Sequence, residues 1–530
     1  MKKQAAVILS LLFLICTLSS ACGSAEKEKT NALQSERKKI VTLKVISIGT
    51  PPKNGLDSLY KSLDEMTEEE LGCRIRIDYI PWGDERKQLQ IAIASGEYDL
   101  IPNGTFSDYY EEAAKGAFVD LNQYRDTVPE LFQHYEEYRS DYLEGIEIDN
   151  RLYGIPQFEK DGPIHVGEGF LYRKDLLEAW GLEPVTDLET MEKYLYAAKE
   201  DGRYAGSSLV TDNRIWNSLW YMLCSADYPE LESITSIPYA VVSAENPRKI
   251  LSRFETEEFQ EILSVVRKWY QDGILNPSIL ASSDNEGTAG LELMLSDKKP
   301  CETNTPVWAV NSNYIPALYE KNPKWTYDFF DYSINQEVVW RKDRGREVSC
   351  ISISSKSKNP ETAVRLLEKL HTDQRYHDLL NYGVPGENYD LDGEYVTYEQ
   401  VAPNNKFSYL TGGADFQMAR KSSSVNAQWQ EVYEREVKKQ DDRVSEAEVT
   451  PLDGFSPDLS SIQKVKRELD AVNKTYLLPL CCGVTEEPEE DYGNAVRKLY
   501  EAGLQKYLDE LQRQLDMYWE ERDNEAADRG

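Results

Sequence analysis

Apolar positions in the first part of the chain alternate with polar ones, then recur at helical spacing, then alternate again. Val41-Thr42-Leu43-Lys44-Val45-Ile46-Ser47-Ile48 predicts a strand that ends at Gly49-Thr50-Pro51-Pro52. Leu56 to Leu71 predicts a helix closed by Gly72, and Arg74 to Ile80 a second strand with a largely period-two pattern. Glu85 to Ala94, apolar at 89, 91, 93 and 94, predicts a helix ended by Ser95-Gly96, and Tyr98 to Ile101 a third short strand. This β-α-β-α-β order predicts a parallel sheet with helices on both faces. Ligands of such sheets sit beyond the carboxyl ends of the strands. Those ends carry Gly49-Thr50, Pro81-Trp82-Gly83 and Asn103-Gly104-Thr105-Phe106.

Further along, Arg151 to Pro156 is an extended stretch suited to a crossing between lobes. Arg346 to Ile353 would be the strand that returns. Asn359-Pro360-Glu361 then opens a helix over Thr362–Leu370, with Pro in the first turn. At the other end, Val496, Leu499, Tyr500, Leu504, Tyr507, Leu508, Leu511, Leu515 and Tyr518 form one apolar stripe. They predict a single helix from about Asn494, with Glu520 to Gly530 as a polar tail.

The first residues follow a different rule. Lys2 and Lys3 precede an uncharged apolar run, Ala5 to Leu18, and then Ser19-Ser20-Ala21-Cys22. That run is too short to span a membrane, which takes ~20 apolar residues, and fits a cleaved signal over 1–21. Cys22 directly after Ala21 resembles the lipobox of bacterial lipoproteins, in which the thiol is diacylated and becomes the new N-terminus. Ser19 stands where Leu is commoner, and a plain cleavage site with Cys22 incidental is the alternative. Residues 22–39 are then the lipidated anchor and a polar linker without aromatic residues, expected to be disordered. About 17 such residues reach ~22 Å, enough to hold a domain off a lipid surface.

Composition narrows the partners. The 530 residues carry a net charge of −33, and because 1–21 hold only Lys2 and Lys3, the mature chain stands at −35. That charge argues against nucleic acid and anionic lipid surfaces as partners, since both need basic patches. Besides Cys16 and Cys22 there are Cys73, Cys224, Cys301, Cys350, Cys481 and Cys482, too irregular for a disulfide framework or a metal pair. Most are expected to be buried free thiols. The chain has 10 Trp and 34 Tyr against 13 Phe, an excess of polar aromatics that suits sugar rings, although most such residues complete cores.

Several segments together resemble a known family. They are Ile80–Asp84 through Leu89, Ala94–Leu100, Ala114–Leu121, Tyr153–Pro156, Tyr172–Leu177 with Trp180–Leu182, Ser354–Glu361, Leu380–Gly386, and Ala502–Leu504 through Leu511–Leu515. In this order and spacing they resemble the extracellular solute-binding proteins of carbohydrate ABC importers, in the long LipO-like lipoprotein branch. The resemblance implies an α/β, two-lobe periplasmic-binding-protein-like fold with parallel-rich sheets flanked by helices and a sugar in the cleft. Lobe one would comprise 40–155 and 344–406, and lobe two 156–343 and 407–530 with the C-terminal helix. A sugar or oligosaccharide ligand, permease subunits, a lipid anchor on the extracellular face of a bacterial membrane, and a monomer are expected, with no cofactor.

Candidate ligand residues follow from position. Lobe one offers Trp82, Phe106 and Tyr109, with Asp108 to accept hydroxyl hydrogen bonds. Thr211-Asp212-Asn213 reads as a helix N-cap, which puts Asp212 and Arg214 at a cleft-facing helix start. Trp216 and Trp220 follow on one helix face, so at least one belongs to the core. The resemblance implies a ligand-facing loop over Cys301–Trp308, making Asn304 and Trp308 candidates. It also suggests Tyr382, for which packing is the alternative, and a loop over the cleft at Phe407–Phe416. Asn388 to Glu399 has calcium-loop spacing apart from Asn at its first place, but Asp392-Gly393 favours a hairpin, since a calcium loop of that type lies between helices. No metal site is expected. His371 and His377 are expected at the surface near helix ends. No Gly-x-Ser-x-Gly elbow or phosphate loop occurs, and paired carboxylates carry no weight among 93 acidic residues. Three functions remain: an anchored sugar receptor serving an importer, a secreted glycan-degrading enzyme, and a surface receptor for a non-sugar solute. No ATPase motif is present, so transport energy would come from another chain.

Overall fold

The apolar residues of Val41–Ile48 form β1, which alternates between exposed and buried positions up to Lys44 and is buried on both faces from Val45 to Ile48. The computed structural model describes residues 40–529 without 50, 52–54, 82–84, 105–106, 108, 139–142, 144–145, 149, 157–167, 205–207, 232–236, 282–287, 342–349, 394, 398–417, 419, 423–425 and 456. Cys22, Trp82, Phe106, Asp108 and the segment Phe407–Phe416 therefore lie outside the described residues.

In chain order the strands of the two main sheets are β1, β2 (Cys73–Ile80), β3 (Leu100–Asn103), β4 (Ile155–Pro156), β5 (Glu168–Arg173), β6 (Cys301–Pro306), β7 (Tyr327–Asp331) and β8 (Cys350–Ile353). The helices used below are α1 (Leu56–Glu70), α2 (Glu85–Ser95), α3 (Ile215–Cys224), α4 (Glu257–Gln271), α5 (Pro360–Thr372), α6 (Ala427–Glu446), α7 (Pro488–Glu501) and α8 (Leu504–Arg529).

Lobe one holds a five-stranded sheet in the order β2-β1-β3-β8-β4. β1 runs parallel to β2 from Val41↔Cys73 to Ile48↔Ile80, and parallel to β3 at Val45↔Leu100. The returning strand β8 runs antiparallel to both neighbours, with Cys350 opposite Asn103 and Pro156. One core joins Leu43, Val45 and Leu59 to Ile155, Ile351 and Leu367, so chain from before and after lobe two closes on it. α5 covers this sheet, starting at Pro360 as its turn chemistry predicts.

Lobe two departs from the parallel pattern. Its sheet, β6-β5-β7, is antiparallel throughout, with Glu168 opposite Pro306 and Gly169 opposite Asp331. Residue 169 has to be glycine because a Cβ there would sit 2.3 Å from the Phe330 carbonyl oxygen. The segment expected as a loop, Cys301–Trp308, is instead strand β6 followed by a helical turn from Val307. Edge pairing with β5 outweighs its Thr- and Asn-rich composition. The core of this lobe runs from Phe170 to Leu515, and a smaller cluster places Trp429 of α6 against Tyr327 and Phe329 of β7.

The C-terminal stripe makes two helices rather than one. α7 begins at Pro488, and Gly503, at φ +105°, turns the chain before α8. The polar tail remains helical to Arg529. Arg248 pairs twice with Asp523 at 2.8 and 3.0 Å, and the Trp519 indole donates to the Pro247 carbonyl at 3.2 Å.

Other expectations divide. Asp390–Asp392 and Tyr395–Thr397 form an antiparallel hairpin around Gly393. Lys421–Ser422 adds to Tyr395–Val396, so the chain is still with lobe one there. His371 and His377 are not at the surface but buried. The helices that carry them turn these faces inward, where His371 Nδ1 meets the Tyr135 hydroxyl at 3.4 Å and His377 Nδ1 meets Asp378 at 3.3 Å. The cysteines among the described residues are all free and buried.

Candidate functional site

Strand direction locates the site. The carboxyl ends of β1, β2 and β3 point the same way, and Cys350, where the chain re-enters, lies between Asn103 at the end of β3 and Pro156, where the chain leaves. In lobe two the chain arrives at Glu168, which pairs with Pro306 at the carboxyl end of β6. Both sets of strand ends thus lie where the chain crosses between lobes.

On the lobe-one side Asn103 is buried and fixed. Its amide donates to Ser352 Oγ at 2.9 Å and its oxygen accepts from Ser107 Oγ at 3.1 Å, which ties the loop after β3 to the returning strand. Tyr109 belongs to the core instead: it is 4% exposed, its hydroxyl donates to the Ile146 carbonyl at 3.1 Å, and its ring stacks with Phe118. Tyr382 likewise packs, its ring against His377 and Tyr389 and its hydroxyl accepting from the Arg420 backbone N–H at 2.9 Å.

The lobe-two side joins residues far apart in sequence. Asp212 does not cap α3 by bonding deeper into its first turn. It accepts from the Arg214 backbone N–H at 2.8 Å, and from the Arg214 guanidinium at 3.0 and 3.2 Å (Nε) and 2.6 Å (Nη2). Asn304 of β6 donates to the same carboxylate at 2.9 Å and accepts from Ser218 Oγ of α3 at 2.8 Å. Beneath this layer Lys299, 1% exposed, contacts both Glu302 oxygens at 3.0 Å and donates to Thr211 Oγ1 at 3.1 Å. Cys482, from the C-terminal region, lies 3.9 Å from the Asn213 carbonyl.

The electrostatics follow from this packing. Burial works to raise the Asp212 carboxyl, but the bonds and charge of Arg214, with the Asn304 amide, outweigh it and hold it below the ordinary value. Burial pushes the Cys482 thiol up to about 12.

Of the expected residues, Asp212, Arg214 and Asn304 are brought into one network. Trp308 stands 53% exposed just past β6. Trp216 is half-buried, edge-on to Phe259 at 5.9 Å. Trp220 is a core residue, 2% exposed, with the Arg253 guanidinium 4.9 Å from its ring centroid. Sequence reasoning missed Ser218, Thr211, Lys299 and Glu302. The one local signal was the opposite charge of Lys299 and Glu302 three residues apart.

Residues 61–401 match the family model described as bacterial extracellular solute-binding protein, and residues 451–520 match a domain of unknown function. A carbohydrate ABC transporter substrate-binding protein of Streptococcus pneumoniae is 24% identical over 533 residues, covering 98% of each chain. Lipoprotein LipO of Bacillus subtilis is 22% identical over 405 residues, covering 72% of this chain and 74% of its own. The crystal structure of the N-glycan transport solute binding protein of Streptococcus pneumoniae in complex with Man1GlcNAc has the same fold, with TM-score 0.67 and 22% identity over 90% of this chain and 99% of that one. With the family model spanning well over half of its length, the chain belongs to the bacterial extracellular solute-binding proteins.

Proposed function

We propose that this protein is an extracellular, membrane-anchored receptor that captures a sugar or oligosaccharide between its lobes and delivers it to an ABC permease. The observation that carries the reading is the common end of the molecule where the carboxyl ends of β1, β2, β3 and β6 meet the crossings between lobes. A ligand bound there touches both lobes, so hinge closure buries it and affinity comes from both faces. The glycan complex of the structural relative and the name of the Streptococcus pneumoniae relative support the ligand class and the importer. The LipO relative supports anchoring, which we assign to Cys22. The ligand surface combines Asp212, Arg214, Asn304 and Trp308 from lobe two with Trp82, Phe106 and Asp108 from the loops of lobe one. Tyr109, Trp220 and Tyr382 serve packing. The protein performs no chemistry on its ligand and acts as a monomer.

The test is thermal unfolding of residues 40–530 against a panel of oligosaccharides, with each glycan recovered afterwards. Ligand at about 100 times its dissociation constant adds ~2.7 kcal/mol to the folded state. A shift with one sugar class and intact glycan is expected. Cleaved glycan would make the protein an enzyme, and silence across the panel would end the carbohydrate reading.

A further inference from the structure

Resting on the glycan-receptor reading, we propose that the lobe-two side of the site selects uncharged glycans over carboxylate-bearing ones, and that Asp212 is the residue that enforces the choice.

A guanidinium is the natural dock for a sugar carboxylate, because its planar fork matches two carboxylate oxygens. Arg214 stands at the right end of the lobe for that role. The Nε–Nη2 edge of its fork, however, is engaged from within the protein, through Nε at 3.0 and 3.2 Å and Nη2 at 2.6 Å to the Asp212 carboxylate. Asp212 is held against release by the Asn304 amide at 2.9 Å and the Arg214 backbone N–H at 2.8 Å. Asn304 in turn is oriented by Ser218 at 2.8 Å. The next cation inward, Lys299, is matched by Glu302 at 3.0 Å to each oxygen. Among the described residues, two cations thus face two carboxylates. The whole chain carries −33.

A carboxylate arriving here must displace Asp212 or settle beside it, and like charges a few ångströms apart repel, the more so once lobe closure has removed water. A hydroxyl meets no such barrier. It donates and accepts at once, and an aspartate–arginine pair offers one partner for each role. The pair therefore suits neutral pyranose hydroxyls and rejects uronates.

The experiment is calorimetric titration of residues 40–530 with neutral oligosaccharides built from mannose, glucose and N-acetylhexosamines, beside oligouronates of equal length. Mannose and mannuronate oligomers form the sharpest pair, since they differ only in the oxidation of C6. Wild-type protein should bind a neutral member, with the matching uronate on the order of 100-fold weaker or worse. The neutral affinity should hold within about twofold from about 50 to about 500 mM NaCl, as an uncharged ligand requires. Asp212→Asn, which leaves Arg214 uncompensated, should narrow the gap at least about tenfold by improving uronate binding, with a salt dependence that wild type lacks. The wild-type comparison and its salt series decide the matter even where that variant does not fold. Uronate binding equal to or tighter than neutral binding would overturn the inference and leave the receptor reading standing. An unchanged gap in a folded Asp212→Asn protein would remove Asp212 from the role. Silence with both panels would overturn the receptor reading itself, and this inference with it.

Discussion

Replacing Lys299 by Met should destabilise lobe two far more than the loss of an ordinary lysine. The Lys299 side chain has no solvent exposure and its Glu302 partner is only 6% exposed, with 3.0 Å between the charged groups. The helix over Thr288–Leu295 closes above them, and a Cβ on Gly290 would fall 1.8 Å from Glu302 Oε2, so the backbone of that helix lies directly against the pair. An intact buried pair contributes little net stability, because desolvation offsets the attraction. Breaking it is different: the remaining carboxylate is left uncompensated, at a cost of ~3–5 kcal/mol. That corresponds to a drop on the order of 10 °C in the melting temperature of the lobe. Lys299→Met/Glu302→Gln removes both charges, while the oxygen of the introduced amide still offers an acceptor to the Thr303 N–H that Glu302 now binds at 2.9 Å. The double variant should recover to within ~1–2 kcal/mol of wild type. Urea denaturation of the wild type, both single variants and the double variant, read by Trp fluorescence, gives the coupling directly. A Lys299→Met cost below ~1 kcal/mol, or a double variant as unstable as the sum of the singles, would refute the reasoning.

Four further outcomes are expected. Trp308→Ala should leave stability within about 0.5 kcal/mol, as for other exposed positions, while glycan affinity falls about tenfold or more; equal affinity in titration would take Trp308 out of the site. Gly169→Ala should cost ~3 kcal/mol in urea unfolding, because its methyl group would press on the Phe330 carbonyl and the Phe329 ring, 2.3 and 2.6 Å away. Burial pushes Cys73 up to about 11 and Cys301, Cys350 and Cys482 up to about 12, so a thiol reagent near pH 8 should label native protein hardly at all and all six cysteines of residues 40–530 after unfolding; fast labelling of folded protein would contradict this. The folded-state pKa of Asp212 lies below its unfolded value, so its stabilisation is complete above the ordinary carboxylate range and is lost as pH falls through the folded value. The stability gap between wild type and Asp212→Asn should therefore be constant near neutrality and close only in acid, and a gap that closed between pH 6 and 8 would show the sign to be wrong.

Much of the local structure was legible in the pattern of apolar residues. β1, α1, β2 and α2 fall within a residue or two of where periodicity puts them, because each element reports its buried face through its own spacing. The Asp392-Gly393 hairpin and the Pro360 helix start were legible for the same kind of reason, turn and cap chemistry acting over two or three residues. Periodicity does not say which partner covers a face. Only tertiary packing decided that β8 returns antiparallel, that Cys301–Pro306 pairs as a strand, and that His371 and His377 turn inward. The final helix outlasts its apolar stripe, and on that stretch Arg248, 275 residues away, pairs with Asp523 at the surface. In the candidate site Asp212, Arg214 and Asn304 were nameable from helix-start chemistry and a family resemblance. The bond between Asp212 and Asn304, 92 residues apart, was not, and neither was the Lys299–Glu302 pair beneath them. Local chemistry selects elements over a few residues, whereas a polar site is assembled by whichever distant groups must satisfy one another once water is gone.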